Sequence, residues 1–290
     1  MAILAVKNLS KNYKNQKVLK EINLIIDSPG IWALVGPNGS GKTTFLNVVT
    51  NLLPATEGTI ELVDKRNTDV TVFKEVSFLQ DNTVLFEYLN GYDHLKYICD
   101  VHNLGKKRIE EVADYVGMTS YLRKKVGDYS LGMKQHLLLA MSIINDPKLL
   151  FLDEPLNGLD PTSAILMRKI LLELEKKGTT IILSSHNLAE IDKVTKQILF
   201  LKDGQLLQEN IHTYEEVHYY FTLTNMSGAL QVLTDKGYTV ELLENELKVQ
   251  IENQNLQTVL DILSHSKIDI WDMHKEVSGS EKRYLELFEV

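Results

Sequence analysis

The sequence predicts an α/β domain with a largely parallel central sheet, joined to a smaller α+β domain. Three observations carry that reading. Short apolar runs alternate with helical patterns through about Asn210, as βαβ units require. Between the third run and the helix after it lies a glycine-rich segment, Gly36-Pro37-Asn38-Gly39-Ser40-Gly41-Lys42-Thr43-Thr44. Beyond Asn210 the order changes to strand, helix, two close strands, helix and strand.

Residues 3–9, 18–26 and 31–35 are expected strands, and 43–52 the first helix. Residues 76–79 form the next strand. The stretch from about 83 to 130 carries almost no strand signal and reads as a helical insertion, with helices at 91–102 and 107–116. Ser130 is an N-cap that opens a helix over 131–145. Residues 149–152 are wholly apolar, which fits a strand buried on both faces. Asp160 before Pro161 supplies a capping carboxylate and a first-turn proline for a helix over 161–176. A strand at 179–183, a helix at 188–194 and a strand at 198–201 complete a first domain, 1–210. The second, 211–290, has expected strands at 219–224, 238–243, 247–251 and 267–272, with helices at 227–236 and 253–264. That order is the ferredoxin-like split unit, with Asn245 suited to its tight hairpin. A last helix is expected at 281–288.

Composition narrows the function. The chain of 290 residues is 44% apolar, enough for two modest cores. Cys99 is the only cysteine, which excludes an internal disulfide and a thiolate cluster and suits a reducing cytoplasm. The start, Met1 to Lys7, lacks the basic opening and apolar length of a signal peptide. The longest apolar stretches, such as the eight residues 137–144 broken only by Ser142, are too short to span a bilayer. From Ile211 onward there are six Lys and Arg against fourteen Asp and Glu, so the net charge of −8 sits entirely in the last third. That balance argues against nucleic acid as a partner.

The glycine-rich segment is a phosphate cradle. Its glycines let successive N–H groups turn inward on an anion, and the following helix adds the positive end of its dipole. Lys42 can reach the β- and γ-phosphates, and Thr43 can place a hydroxyl on Mg²⁺. These features point to a nucleoside triphosphate. Ligands of open parallel sheets sit at the carboxyl ends of the strands. Asp153, ending the 149–152 strand, is thereby placed to hold Mg²⁺, while Glu154 points elsewhere and can polarise an attacking water. His186 ends the 179–183 strand region on the same edge and can donate to a γ-phosphate.

Tyr129-Ser130-Leu131-Gly132-Met133-Lys134-Gln135, shortly upstream of Asp153, resembles the signature motif of the ATP-binding-cassette superfamily. With the phosphate loop, the carboxylate pair and His186 in this order, residues 1 to about 210 are identified as a member of it. The resemblance implies that Gly36, Asn38, Gly39, Ser40, Gly41, Lys42, Thr43 and Thr44 cradle ATP and that Tyr13 stacks on adenine. It implies that Gln80 touches Mg²⁺ and the water and senses a membrane partner, and that Asn157 to Asp160 form the loop after the catalytic glutamate. It further implies a head-to-tail dimer, with itself or a sister ATPase, in which Ser130 and Gly132 of one copy cap the γ-phosphate held by the other. The signature departs from the usual two glycines and glutamine at Leu131 and Met133, and His136 stands where a basic residue is common; active but modest hydrolysis is expected.

The variant signature and acidic tail domain resemble ATPase subunits of bacterial peptide, bacitracin and lantibiotic exporters, including those that carry phenol-soluble modulins. This implies an ATPase at the cytoplasmic face of the membrane, bound to a separate multi-spanning permease. The insertion and the Gln80 loop would form its dock, with the apolar residues around Phe86 to Leu89 at its centre. The tail domain would serve dimer contact or regulation. Two other readings remain: a cytosolic ATP-dependent switch on chromosomes, repair or ribosomes, and an ATP sensor without turnover. Relatives of the first kind carry long coiled coils or duplicated cassettes, which this sequence lacks.

Overall fold

The computed structural model describes residues 2–14, 16–211, 217–251, 256–277 and 279–288. The chain divides into two compact units, Met1–Glu209 and Asn210–Val290.

The first unit opens with a long hairpin, β1 (Leu4–Tyr13) and β2 (Gln16–Ile26), in which β2 turns Ile22, Leu24 and Ile26 inward and Asn23 and Ile25 outward. Next come β3 (Ile31–Val35), α1 (Lys42–Val49) and a second hairpin, β4 (Glu57–Leu62) with β5 (Lys65–Arg66). These last two strands were not anticipated. β4 alternates Ile60 and Leu62 inward with Glu57, Thr59 and Glu61 outward, and pairs antiparallel with β1 to give the sheet order β2-β1-β4-β5. The first helix ends three residues before the expected Leu52, because Asn51 adopts φ 61° and stops it.

β6 (Val76–Leu79) leads into the helical insertion, which holds α2 (Gly91–His102), α3 (Lys107–Tyr115) and short 3-10 turns. Then follow α4 (Leu131–Ile143), β7 (Leu149–Leu152), α5 (Pro161–Lys176), β8 (Thr180–Ser185), a short α6 (Leu188–Ile191), β9 (Gln197–Lys202) and β10 (Gln205–Asn210). The central sheet runs β10-β9-β3-β8-β7-β6, with parallel pairing from β9 through β6. β3 and β7 are buried at every residue, which is why both read as unbroken apolar runs. β10, also unforeseen, returns through the two-residue turn Asp203-Gly204, where both residues have positive φ. One core spans both sheets and α1, with Phe45, Phe151 and Leu34 fully enclosed. Cys99 on α2 is buried and free, and burial pushes its thiol pKa up.

The second unit holds β11 (Val217–Leu223), α7 (Met226–Asp235), β12 (Thr239–Leu242), β13 (Leu247–Gln250), α8 (Leu256–His265), β14 (Ile270–Val277) and α9 (Ser280–Phe288). Its sheet is antiparallel in the order β12-β13-β11-β14, with its own core around Phe221, Leu233, Val249 and Leu263. The Glu244-Asn245 hairpin is closed by the Leu243 N–H donating to the Glu246 carbonyl at 2.9 Å. Residues 253–255, where the sequence reading starts the second helix of this unit, lie outside the described residues. The last strand starts three residues later than expected. Lys267 adopts φ 55° as the left-handed cap of α8, and the Ile268 N–H donates back to the Leu263 carbonyl, so the chain straightens only at Ile270. Among the described residues no helix is long and apolar enough to cross a membrane.

Candidate functional site

Parallel register assembles the site. Leu79 is opposite Leu152, Leu152 opposite Leu183, and Val35 opposite Ser185. The next residues along, Gln80, Asp153, Ser184, His186 and Gly36, therefore share the carboxyl edge of four adjoining strands.

Gly36 and Gly41 shape the loop. A Cβ at position 36 would lie 2.7 Å from the Leu201 carbonyl oxygen, so only glycine fits. Gly41, at φ 106°, is the residue before α1, and a Cβ there would meet Val18 Cγ1 at 2.9 Å. With no side-chain cap at that position, the first N–H groups of α1 are left for an anion. Lys42 folds back and donates to the Gly36 carbonyl at 2.8 Å and the Pro37 carbonyl at 3.3 Å. Burial pushes its pKa down against the pull of Glu154 and Asp153. Ser40 Oγ is buried without a hydrogen-bond partner, a polar atom the loop holds in reserve for a ligand. Asn38 and Thr43 are exposed, with Thr44 half-buried behind them.

A hydrogen-bonded chain links this loop to the carboxylates. Thr43 Oγ1 donates to Asp153 Oδ2 at 2.8 Å, and the other oxygen, Oδ1, accepts from Ser184 Oγ. Ser184 Oγ in turn accepts from the Glu154 N–H at 2.9 Å. Glu154 adopts φ 50°, a left-handed backbone that a glutamate rarely takes. His186 Nδ1 lies 2.9 Å from Glu154 Oε2. An ionised Glu154 only accepts, so the shared proton is on Nδ1; Nε2 then donates as well only when the ring is protonated. A γ-phosphate contact from His186 thus needs either an imidazolium or release of Glu154.

Gln80 borders a largely apolar cavity of about 360 Å³, walled by Leu79, Ile98, Leu138 and Met141. Ser130 caps α4 by accepting the Met133 N–H at 3.3 Å. Gly132 packs beside α5: a Cβ there would lie 3.0 Å from Ser163 Oγ and 3.3 Å from Asp160 Oδ2. Among the described residues no hydrogen bond joins Ser130 or Gly132 to Lys42, Asp153 or Glu154. Tyr13 is exposed near the tip of the first hairpin, with Lys11 Nζ 5.1 Å from its ring centroid. His136 is held by the Tyr121 hydroxyl at 3.0 Å, and burial pushes its pKa down although Asp160 pulls it up.

Two residues escaped the sequence reading. Ser184 reads only as the residue at which the 179–183 strand ends. His94 accepts the Phe86 N–H on Nε2 at 3.0 Å and bonds the Asn90 carbonyl through Nδ1 at 2.9 Å, pinning the loop that exposes Phe86 and Tyr88. No motif spacing signals either.

Comparison with known proteins decides the family. Residues 19–157 match the family model described as ABC transporter. An ABC transporter ATP-binding protein of Bacillus subtilis (strain 168), YhcH, is 30% identical over 98% of this chain and 95% of its own. The chain belongs to the ABC transporter ATP-binding proteins. This ABC ATPase is also 34% identical, over 71% of its length and 90% of the relative's, to the lantibiotic transport ATP-binding protein SrtF of Streptococcus pyogenes. With the bacitracin transport ATP-binding protein BcrA of Enterococcus faecalis it shares 35% identity over 71% of its own length and 68% of that chain. A solved ATP-binding subunit of an ABC transporter superposes with a TM-score of 0.67 at 26% identity, covering 73% of this chain and 91% of the other. The α/β cassette fold and the ATPase class follow.

Proposed function

We propose that this ABC ATPase binds and hydrolyses ATP to drive a separate multi-spanning permease that exports peptides across the cytoplasmic membrane. The observation that carries the chemistry is the hydrogen-bonded chain from Thr43 through Asp153 and Ser184 to Glu154, which links a glycine-rich loop to two adjacent acids on one sheet edge. The peptide class of cargo is supported by the lantibiotic and bacitracin transport relatives.

In this reading the loop from Gly36 to Thr44 binds the phosphates, with Lys42 exchanging its two carbonyl partners for phosphate oxygens. The residues present suit Mg²⁺. Thr43 Oγ1 and Asp153 Oδ2 are hard oxygen donors 2.8 Å apart, the donor type this cation takes. Thr43, Asp153 and Gln80 would hold the ion, which when bound neutralises charge on the β- and γ-phosphates. Glu154 accepts the proton of the attacking water, and His186 orients Glu154 and the γ-phosphate. Tyr13 offers its exposed ring to the adenine. Ser130 and Gly132 serve the nucleotide of a second cassette, in a head-to-tail dimer with itself or a sister ATPase. The apolar cavity beside Gln80 and the exposed Phe86 and Tyr88 form the permease dock, which would hold the chain at the cytoplasmic face.

The domain roles follow the division of the chain. Residues 1–210 are the cassette, and 211–290 are an accessory domain for dimer contact or regulation. Its strand order, β12-β13-β11-β14 with one helix after β11 and one after β13, supports a ferredoxin-like assignment.

The test is recovery of tagged Glu154→Gln protein from detergent-solubilised membranes in the presence of ATP. A polytopic membrane protein in stoichiometric amount is expected. A soluble partner alone would sink the transporter reading in favour of a cytosolic switch. The same variant should hydrolyse ATP about 10²–10⁴-fold more slowly than the parent.

A further inference from the structure

We propose that Ser184 is a positioning residue that sets the geometry of Asp153 and Glu154 together. The proposal rests on the roles given above to those two carboxylates.

Ser184 is fully buried on β8, between β3 and β7. A serine hydroxyl has one proton to donate and lone pairs to accept. Its partners leave no choice of direction. The Glu154 N–H can only donate to it, and an ionised Asp153 can only accept from it, so the proton points at Asp153 Oδ1. One hydroxyl therefore ties the side chain of one acid to the backbone of the next.

Both restraints oppose a natural alternative. Asp153 has two oxygens, and Thr43 holds only Oδ2. Without Ser184 the carboxylate is free to swing about its own bond and lose the face it offers at Thr43. Glu154 has the left-handed φ of 50°, a conformation that an L-residue avoids unless the surroundings impose it. The bond to Ser184 Oγ fixes the orientation of its N–H, and His186, the first residue past the end of β8, fixes its carboxylate from the other end. One strand end thus grips Glu154 at both backbone and tip. Displacement of a reacting group by about 1 Å can cost about 10²-fold in rate, so a grip of this kind bears on turnover more than on binding.

The experiment compares Ser184→Thr, which keeps the hydroxyl, with Ser184→Val, which has the same shape without it, and with Ser184→Ala. Each full-length protein is assayed beside Glu154→Gln for ATP turnover, affinity for ATP, the Mg²⁺ concentration that half-saturates its effect on nucleotide binding, and thermal midpoint. The proposal expects kcat of the Ala and Val proteins to fall roughly 10–10²-fold with ATP affinity within about twofold of the parent. It expects the Mg²⁺ requirement to rise in both, and the Thr protein to approach parent turnover at the same thermal midpoint as Val. Parent turnover in Ala and Val, with Glu154→Gln inactive, would overturn the proposal and leave the base assignment standing. Equal impairment of Thr and Val would reduce Ser184 to a packing residue and overturn it too. Parent turnover in Glu154→Gln would instead remove the reading on which it rests.

Discussion

At the residue scale, the site departs from ordinary expectations at Lys42, Glu154 and His136. Lys42 is buried with its pKa pushed down, and it donates to the Gly36 and Pro37 carbonyls of its own loop. His136 occupies a place where a basic residue is common, yet burial favours its neutral ring. A histidine whose folded pKa lies below its ordinary 6.5 takes up its proton more readily in the unfolded chain. Folding stability should therefore fall as pH drops through and below about 6.5. The thermal midpoint of the parent relative to His136→Gln should accordingly worsen between pH 8 and pH 5.5; a constant difference would show that His136 does not titrate on unfolding. Legibility also varies by residue. Lys42, Thr43, Asp153 and His186 stand in spaced motifs, and the structure gathers their backbone positions on one edge. Ser184 and His94 were hidden because their importance lies in what they touch, 30 residues and 8 residues away along the chain. Ser130, Gly132 and Tyr13 take their reading as nucleotide contacts from the resemblance alone, the first two toward the nucleotide of a second copy.

At the element scale, helices with explicit end signals were legible and the edge strands were not. α5 begins where Asp160 and Pro161 said it would, with Asp160 Oδ1 accepting the N–H groups of Thr162 and Ser163. α2 begins with a capping box, in which Asn90 accepts the Asp93 N–H at 2.9 Å and Asp93 accepts the Asn90 N–H at 3.4 Å. Asn90→Ala should cost about 1 kcal/mol, measured by urea unfolding. The loss should concentrate in the insertion, because the Asn90 carbonyl also anchors His94; an unchanged midpoint would show that solvent replaces the cap. β5 and β10 gave little pattern to read, since β5 has two residues and β10 keeps none of its six buried. The late start of β14 came from a helix cap at Lys267, a residue whose side chain carries no signal for a left-handed backbone.

At the scale of the whole molecule, each unit closes its own core: one around Phe45, Phe151 and Leu199, the other around Phe221, Val249 and Leu263. Neither core needs residues of the other. The chain shortened to residues 1–210 should fold and bind a fluorescent ATP analogue within about threefold of the full-length affinity, a margin under 1 kcal/mol. A loss of tenfold or more would show that the accessory domain completes the nucleotide site. The charge division agrees with separate surfaces, since the first 210 residues balance and the last 80 carry the whole net charge.

The lone thiol has a practical consequence. Cys99 is sealed inside α2 and its ionisation is disfavoured, so the native molecule presents no reactive sulfur to solvent. A cysteine engineered at an exposed position, such as Tyr97 or Ile165, would become the sole address for a maleimide dye without first stripping the protein of anything it uses. The proposed pairing of two cassettes on nucleotide could then be tested by energy transfer between two copies of otherwise natural sequence.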